Sequence, residues 1–112
     1  MLRFIFRHLS GSRATEVDVV PFGEHRELIL GRAESAAVRF DPQRESMVGR
    51  HHARITRSEH DGASFELSDL GSRNGTWLNG QRIEHTVVLH DGDIVRLSAA
   101  GPEIEVRMET SA

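Results

Sequence analysis

Three turn-rich segments of this sequence carry side chains that can bind an anion or an extended peptide. Arg32 lies in the segment LILGRAES, Arg50 in DPQRESMVGRHHARI, and Arg73 and Asn74 in DLGSRNGTWLNGQRI. A guanidinium group can make paired, charge-assisted hydrogen bonds to a phosphate, and the amide of an asparagine offers a donor and an acceptor to a main chain. Considered alone, Arg32 is also consistent with an ordinary surface arginine that follows a turn. The segments therefore predict a binding site only if the fold brings them together.

Catalytic chemistry has weaker support in this sequence. The seven histidines include the adjacent His51 and His52, which would point to opposite faces of a strand, and the others show no HExxH spacing. Ser72 lies in GSRNG, which is not the G-x-S-x-G pattern of a hydrolase, and neither a P-loop nor a pair of catalytic carboxylates is recognisable. We therefore predict no catalytic residue, no metal site, no cofactor and no enzymatic activity.

Composition and charge limit the class of protein further. A chain of 112 residues corresponds to about one domain, so residues 1–112 are predicted to form a single domain. The absence of cysteine excludes disulfides and thiolate metal sites. The net charge of −3 disfavours nucleic acid as a partner. The same absence of cysteine means that no oxidising compartment is required, which fits a cytoplasmic location. Arg3, Arg7 and His8 interrupt the apolar N-terminus, so neither a secretion signal nor membrane insertion is predicted.

Hydrophobic periodicity predicts β-strands along almost the whole chain. MLRFIF, SFELSDL and EIEVRMET each place apolar residues on one face, and ELILG, AVRF, ARIT, TVVL and DIVRLS are further short β-type runs. Turn residues separate these runs, so about ten short strands are expected, as in a sandwich or barrel. A helix would have to be short, with PQRESM at residues 42–47 as its place.

Four motifs, in this order, resemble those of the forkhead-associated (FHA) domain. They are GR at 31–32, RHHARI at 50–55, DLGSRNGTWLNG at 69–80 and LHDGDIVRL at 89–97. The resemblance covers a core from about residue 28 to residue 97. It implies an all-β fold, an eleven-stranded β-sandwich of two twisted sheets, with loops at one end that bind phosphothreonine peptides.

The resemblance also implies roles for individual residues. The phosphopeptide-binding residues would be Arg32 and Arg73, which contact the phosphate, Asn74, which holds the peptide main chain, and the neighbouring Gly49 and Arg50. Structural support would come from Gly31, His52, Gly75, Thr76, Asn79 and Gly80, with His52 joining two loops through hydrogen bonds and Gly75 and Gly80 in tight turns with positive φ. Trp77 is expected either to pack on the sandwich or to lie partly exposed beside the site.

One position departs from the family. The pattern Ser-Arg-x-His reads Gly49-Arg50-His51-His52 here, so the serine hydroxyl that bonds the phosphate is missing. The N–H of Gly49, Ser46 or His51 could replace it, and Gly49 could alternatively be required for a backbone with positive φ. The expected partner is a phosphothreonine-containing protein or peptide, such as a Ser/Thr kinase or its substrate. The alternative is a degenerate FHA domain that binds or self-associates without phosphate. Either could be a fragment of a longer signalling protein.

Overall fold

The computed structural model describes residues 1–23 and 26–110, which form eleven strands in two sheets. The strands are β1 (Leu2–His8), β2 (Val17–Pro21), β3 (Glu27–Gly31), β4 (Val38–Arg39), β5 (Ala53–Arg57), β6 (Phe65–Asp69), β7 (Thr76–Leu78), β8 (Gln81–Arg82), β9 (Val87–Leu89), β10 (Asp93–Leu97) and β11 (Glu103–Thr110). One sheet has the order β2-β1-β11-β10-β7-β8, and the other has the order β4-β3-β5-β6-β9. The predicted all-β sandwich is confirmed.

The core lies between the two sheets and follows the predicted alternation. Phe4 and Phe6 of β1 are fully buried, as are Ile104 and Val106 of β11, which pairs with β1 in antiparallel register. Leu67 of β6, in the other sheet, belongs to the same buried cluster. Because every second residue of a strand points to the same face, each sheet contributes one apolar face to this core.

Three connections at one end of the sandwich carry the predicted binding residues. We call residues 32–37, between β3 and β4, the first loop; residues 40–52, between β4 and β5, the second loop; and residues 70–75, between β6 and β7, the third loop. The turn between β10 and β11 lies at the same end, since the N–H of Ser98 donates to the carbonyl of Gly75 over 2.9 Å.

The short helix suggested for residues 42–47 is wrong, because the second loop consists of turns there. Asp41 accepts hydrogen bonds from the main-chain N–H groups of Gln43 and Arg44. The carbonyl of Pro42, which would accept a bond inside a helix, instead accepts one from the side chain of Arg32. Within the described residues, no helix has the length and apolar character needed to span a membrane.

Two strands escape the sequence patterns. β2 is an edge strand in which Val17 and Val19 are exposed, whereas the half-buried Asp18 bonds His8 over 2.9 Å. In this strand the apolar residues therefore face solvent and the polar residue faces the protein, the reverse of an ordinary half-buried strand. β8 has only two residues, which is too short for a periodic pattern to reveal.

Candidate functional site

The first and second loops are joined along their backbones beside Gly31. The N–H of Arg32 donates to the carbonyl of Gly49 over 3.0 Å, and the N–H of Ala33 donates to the carbonyl of Arg50 over 3.1 Å. A Cβ on Gly31 would lie 2.1 Å from the Arg50 carbonyl oxygen, although the φ of Gly31 is not positive. Gly31 is thus required because the second loop approaches its backbone closely.

The half-buried side chain of Arg32 is held against the second loop by two main-chain carbonyls. Its Nε donates to the carbonyl of Val48, and its Nη1 donates to that of Pro42 over 3.2 Å. Nη2 has no hydrogen-bond partner in the described part of the chain. The guanidinium is therefore oriented before any ligand arrives and keeps donors available, as an anion-binding arginine requires.

His52 connects the second loop to the third. Its ring is fully buried; Nδ1 accepts the N–H of Gly49 over 2.9 Å, and Nε2 lies 2.7 Å from the carbonyl oxygen of Gly75. Since a carbonyl only accepts, Nε2 must carry the proton and the ring is neutral. Burial lowers the pKa of His52, an effect that the hydrogen bond to Gly75 only partly opposes. This geometry suits a structural linker between loops rather than a proton donor.

The third loop is folded around the carboxylate of Asp69. This group accepts hydrogen bonds from the N–H and the hydroxyl of Ser72 and from the hydroxyl of the fully buried Thr76, over 2.9, 2.5 and 2.7 Å. Burial alone would raise the pKa of Asp69, but these hydrogen bonds outweigh it and hold the pKa below its usual range. Gly75 has φ +84° and its N–H donates to the hydroxyl of Ser72, so the loop is closed on itself.

Asn74 and two further arginines lie on the exposed surface of these loops. The Nδ2 of Asn74 donates to the carbonyl of Met47 in the second loop over 2.9 Å, so its amide donor already serves the fold. Arg50 and Arg73 make no side-chain hydrogen bond or ion pair with any other described residue. Together with Arg32 they supply three guanidinium groups to one end of the molecule.

Gly49 differs from the expectations in two respects. Its N–H is not available as a donor to a phosphate, because it donates to the ring of His52. Its φ is not positive, and an added Cβ would meet only atoms of His52, at 3.6 to 3.8 Å, which is ordinary van der Waals contact. Ser46 and His51 are exposed on the same loop, where neither makes a side-chain bond to the other described residues.

Asn79 and Gly80 lie away from these loops, in the two-residue turn between β7 and β8. Both have positive φ, 50° and 84°, as the Asn-Gly pair predicts for such a turn. The side chain of Asn79 ties the turn to β10 through Asp93 and the N–H of Ile94. Their role is therefore to shape the sheet. Trp77 is half-buried on β7, next to this turn.

Sequence reasoning missed a buried carboxylate that supports the second loop. Glu45 is 5% exposed, and its Oε1 accepts hydrogen bonds from the N–H and the hydroxyl of Ser12, each over 2.7 Å. Ser12 lies between β1 and β2, so this contact ties a fourth connection to the site. A glutamate in a polar turn carries no sequence signal for burial.

The histidines do not assemble into a metal site in the part of the chain that the structure describes. No three His, Asp or Glu side chains come together there in a group that could hold an ion. His25, one of the seven histidines considered, lies outside the described residues.

Comparison with known proteins places these loops in a family. The FHA domain model matches residues 28–98. The transcriptional regulatory protein EmbR of Mycobacterium tuberculosis is 40% identical over 50 residues, which make up 45% of this chain and 12% of EmbR, so the match spans a small part of that relative. A solved FHA domain from an analysis of phosphothreonine-dependent FHA domain interactions is 28% identical, with a TM-score of 0.73, and the match covers 97% of this chain and 99% of that one.

Solved structures with lower sequence identity share this fold. The FHA domain of a hypothetical protein from Arabidopsis thaliana has a TM-score of 0.80 at 23% identity, with coverage of 98% of this chain and 88% of that one. The match of the FHA domain model to residues 28–98 confirms the resemblance of the sequence to the FHA family.

Proposed function

This chain belongs to the FHA domain family, and we propose that its three loops bind a phosphothreonine-containing protein segment without catalysing a reaction. The observation that carries this proposal is the environment of the Arg32 side chain. Two carbonyls of the second loop orient its guanidinium, and no carboxylate of the described chain neutralises it. A doubly charged phosphate with three acceptor oxygens matches such a group.

Within this proposal, each loop residue has a distinct role. Arg32 makes the main phosphate contact, and Arg73 and Arg50 add charge from the third and second loops. Asn74 offers its Oδ1, which has no partner among the described residues, to a main-chain N–H of the peptide, while its Nδ2 remains on the second loop. Gly49 contributes room beside the phosphate rather than a donor.

The partner that we propose is a phosphorylated protein such as a Ser/Thr kinase or a kinase substrate, in the cytoplasm. Support comes from the similarity, at 28% identity, to an FHA domain studied for phosphothreonine-dependent interactions. As a second candidate function, the domain binds a protein or self-associates without phosphate. The loss of the family serine and the engagement of the Gly49 N–H by His52 favour this alternative, because both remove a phosphate donor.

The test begins with the selection of a peptide probe. The domain is screened against an oriented peptide library with a fixed phosphothreonine, and the same library without phosphate is the control. Fluorescence anisotropy then gives the affinity of wild type and of Arg73→Gln and Arg32→Gln. Arg3→Gln is the matched control, since Arg3 makes an exposed ion pair with Glu109 at the opposite end of the sandwich. We expect each loop variant to weaken binding at least tenfold, because a hydrogen bond to a charged group contributes about 1.5–3 kcal/mol.

Arg73→Gln is the cleaner of the two variants, because the Arg73 side chain makes no hydrogen bond or ion pair with the other described residues. Arg32→Gln also removes two bonds to the second loop, so its thermal melt must be compared with wild type. Peptides with Glu in place of phosphothreonine should bind more weakly, since a carboxylate has less charge and only two oxygens. Peptides with phosphoserine should also bind more weakly, because phosphoserine lacks the γ-methyl group for which the family implies a slot. Equal binding of phosphorylated and unphosphorylated peptides would reject phosphate recognition in favour of the alternative.

A further inference from the structure

The connection between β1 and β2, residues 9–16, is attached to the second loop through the buried side chain of Glu45. The N–H and the hydroxyl of Ser12 both donate to its Oε1. A Cβ on Gly11 would lie 2.8 Å from the same oxygen and 2.9 Å from the Cβ of Pro102, so the connection lies tightly between the second loop and the turn that precedes β11. The proposed phosphate contacts make no use of this attachment.

A short series of hydrogen bonds leads from Ser12 to the guanidinium of Arg32. The main-chain carbonyl of Glu45 accepts the N–H of Val48 over 2.9 Å. The carbonyl of Val48 in turn accepts a bond from the Nε of Arg32. Because a buried carboxylate is costly without hydrogen bonds, the two donors of Ser12 hold Glu45 in place, and with it this turn of the second loop. Ser12 therefore supports the arginine that makes the main phosphate contact in the proposed function.

Ser12 is accessible although its hydroxyl serves this contact. The residue is exposed, and it follows Gly11, which has φ +90°, in an irregular connection. Exposed, irregular segments are the parts of a fold on which modifying enzymes most readily act. The modification open to a serine hydroxyl in such a place is phosphorylation.

A phosphate on Ser12 is incompatible with the contact to Glu45. The hydroxyl oxygen lies 2.7 Å from Oε1 and would lose the proton that it donates. The phosphate would also add about 1.5 to 2 negative charges beside a buried carboxylate, and like charges repel strongly where water is excluded. The neighbouring Arg13 does not offset this charge, because it already bonds Asp18 over 2.8 and 2.7 Å. A phosphate that turns towards Arg44, across the groove beside Ser12, leaves the hydroxyl bond broken as well.

We infer that Ser12 is a phosphorylation site through which a Ser/Thr protein kinase weakens the binding of the phosphopeptide. The inference rests on the proposed function, because the affinity that it controls is that of the three loops. In the reaction, the Oγ of Ser12 attacks the γ-phosphorus of ATP. The Oγ–P bond forms as the bond from this phosphorus to the β-phosphate oxygen breaks, and the hydroxyl proton passes to the base of the kinase. The phosphoserine then repels Glu45 and releases the turn that orients Arg32.

Site-specific incorporation of phosphoserine tests the effect of the modification. The matched control for Ser12→phosphoserine is Ser64→phosphoserine, since the Ser64 hydroxyl also bonds a carboxylate, that of Asp61, over 2.6 Å. This control lies between β5 and β6, at the other end of the sandwich, because β5 begins at the second loop and runs away from it. Anisotropy gives the affinity for the selected phosphothreonine peptide, and hydrogen exchange of the Val48 and Gly49 N–H groups reports the order of the second loop without peptide.

We expect Ser12→phosphoserine to weaken peptide binding at least about tenfold and to speed this exchange, because the support of Arg32 is lost. Ser64→phosphoserine should change neither. Ser12→Ala, which removes the hydroxyl without adding charge, should weaken binding less than phosphoserine does. A thermal melt of each protein shows that it is folded at the temperature of the titration.

Glu45→Gln tests the cause of the loss. Its side chain keeps the length of glutamate, has no charge to repel a phosphate, and offers an amide donor. In this background, the loss of affinity caused by phosphoserine at position 12 should fall to about threefold or less. A loss as large as in the wild-type background would show that repulsion of Glu45 is not the mechanism.

Accessibility is tested on the unmodified domain. The domain is incubated with ATP and each of a panel of Ser/Thr protein kinases, and the products are examined by mass spectrometry. We expect phosphate on Ser12 in at least one reaction. Its absence from all of them would reject Ser12 as a modification site.

The outcomes separate this inference from the proposed function. If Ser12→phosphoserine leaves affinity and exchange unchanged, or if Ser64→phosphoserine weakens binding as much, the inference is wrong and phosphothreonine recognition stands. If the unmodified domain binds phosphorylated and unphosphorylated peptides equally, the proposed function fails and control of that affinity fails with it. The two failures are distinct, because the second is seen without any modification of Ser12.

Discussion

Replacing Gly49 by serine restores the hydroxyl that the family places beside the phosphate, and the structure predicts that the change is tolerated. The φ of Gly49 is not positive, and the new Cβ would contact only His52, at 3.6 to 3.8 Å. The N–H of residue 49 would keep its bond to the His52 ring, because that bond does not depend on the side chain. The serine should therefore fit without strain.

The expected magnitudes follow from these contacts. A glycine replaced at a backbone conformation that other residues adopt stabilises the fold by about 0.4–1 kcal/mol, through the lower entropy of the unfolded chain. The hydroxyl adds one hydrogen bond to a charged phosphate, which contributes about 1.5–3 kcal/mol or roughly ten- to a hundredfold in affinity. Gly49→Ala adds the same Cβ without the hydroxyl, so it should share the gain in stability but not the gain in affinity.

Thermal melts and phosphopeptide titrations of wild type, Gly49→Ser and Gly49→Ala measure both effects. A lower melting temperature for both variants would show that residue 49 needs glycine, contrary to its observed backbone. Tighter binding by the alanine variant as much as by the serine variant would refute a role for the hydroxyl. Undetectable phosphopeptide binding in all three proteins would favour phosphate-independent recognition.

Three further predictions concern the supports of the loops. Gly31→Ala should destabilise the domain by about 3 kcal/mol or more in urea unfolding, because its Cβ would lie 2.1 Å from the Arg50 carbonyl oxygen. The lowered pKa of His52 means that the unfolded state binds a proton more readily, so the free energy of unfolding should fall as the pH drops below about 6.5 and be flat above it; His52→Asn should show a smaller fall between pH 7 and 5.5. Asp69→Asn should cost about 1–3 kcal/mol in the same unfolding assay, whereas an unchanged midpoint would contradict its role in closing the third loop.

The strands could be predicted wherever burial follows the usual alternation. In β1 and β11 the apolar residues face the core and the charged residues face solvent, so the sequence pattern and the structure agree. β2 defeats this reasoning because its exposed positions are Val17 and Val19 and its partly buried position is Asp18, which bonds His8 and Arg13. A partly buried group of hydrogen-bonded polar side chains thus reverses the alternation from which periodicity predicts a strand.

The candidate site, like the strands, could be predicted from the sequence only in part. Residue types and family motifs predict which side chains contact a phosphate, and they predict that His52 joins two loops. They do not reveal hydrogen bonds between side chains and distant main-chain atoms. The N–H of Gly49 looks like a free donor in the sequence, but the ring of His52 takes it. The carbonyls of Pro42 and Val48 that orient Arg32 depend on the path of the second loop, which no residue pattern specifies.

The hydrogen bonds around His52 determine what binding must cost in this domain. The first loop is bonded to the second through the main chains of Arg32 and Gly49, and His52 bonds the second loop to Gly75 in the third. The main chain of the site is therefore already ordered, so binding mainly has to immobilise the exposed side chains of Arg50 and Arg73, at about 0.5–1.5 kcal/mol each. Because this cost is small compared with charge-assisted hydrogen bonds to a phosphate, the missing serine weakens such a site without preventing it from forming.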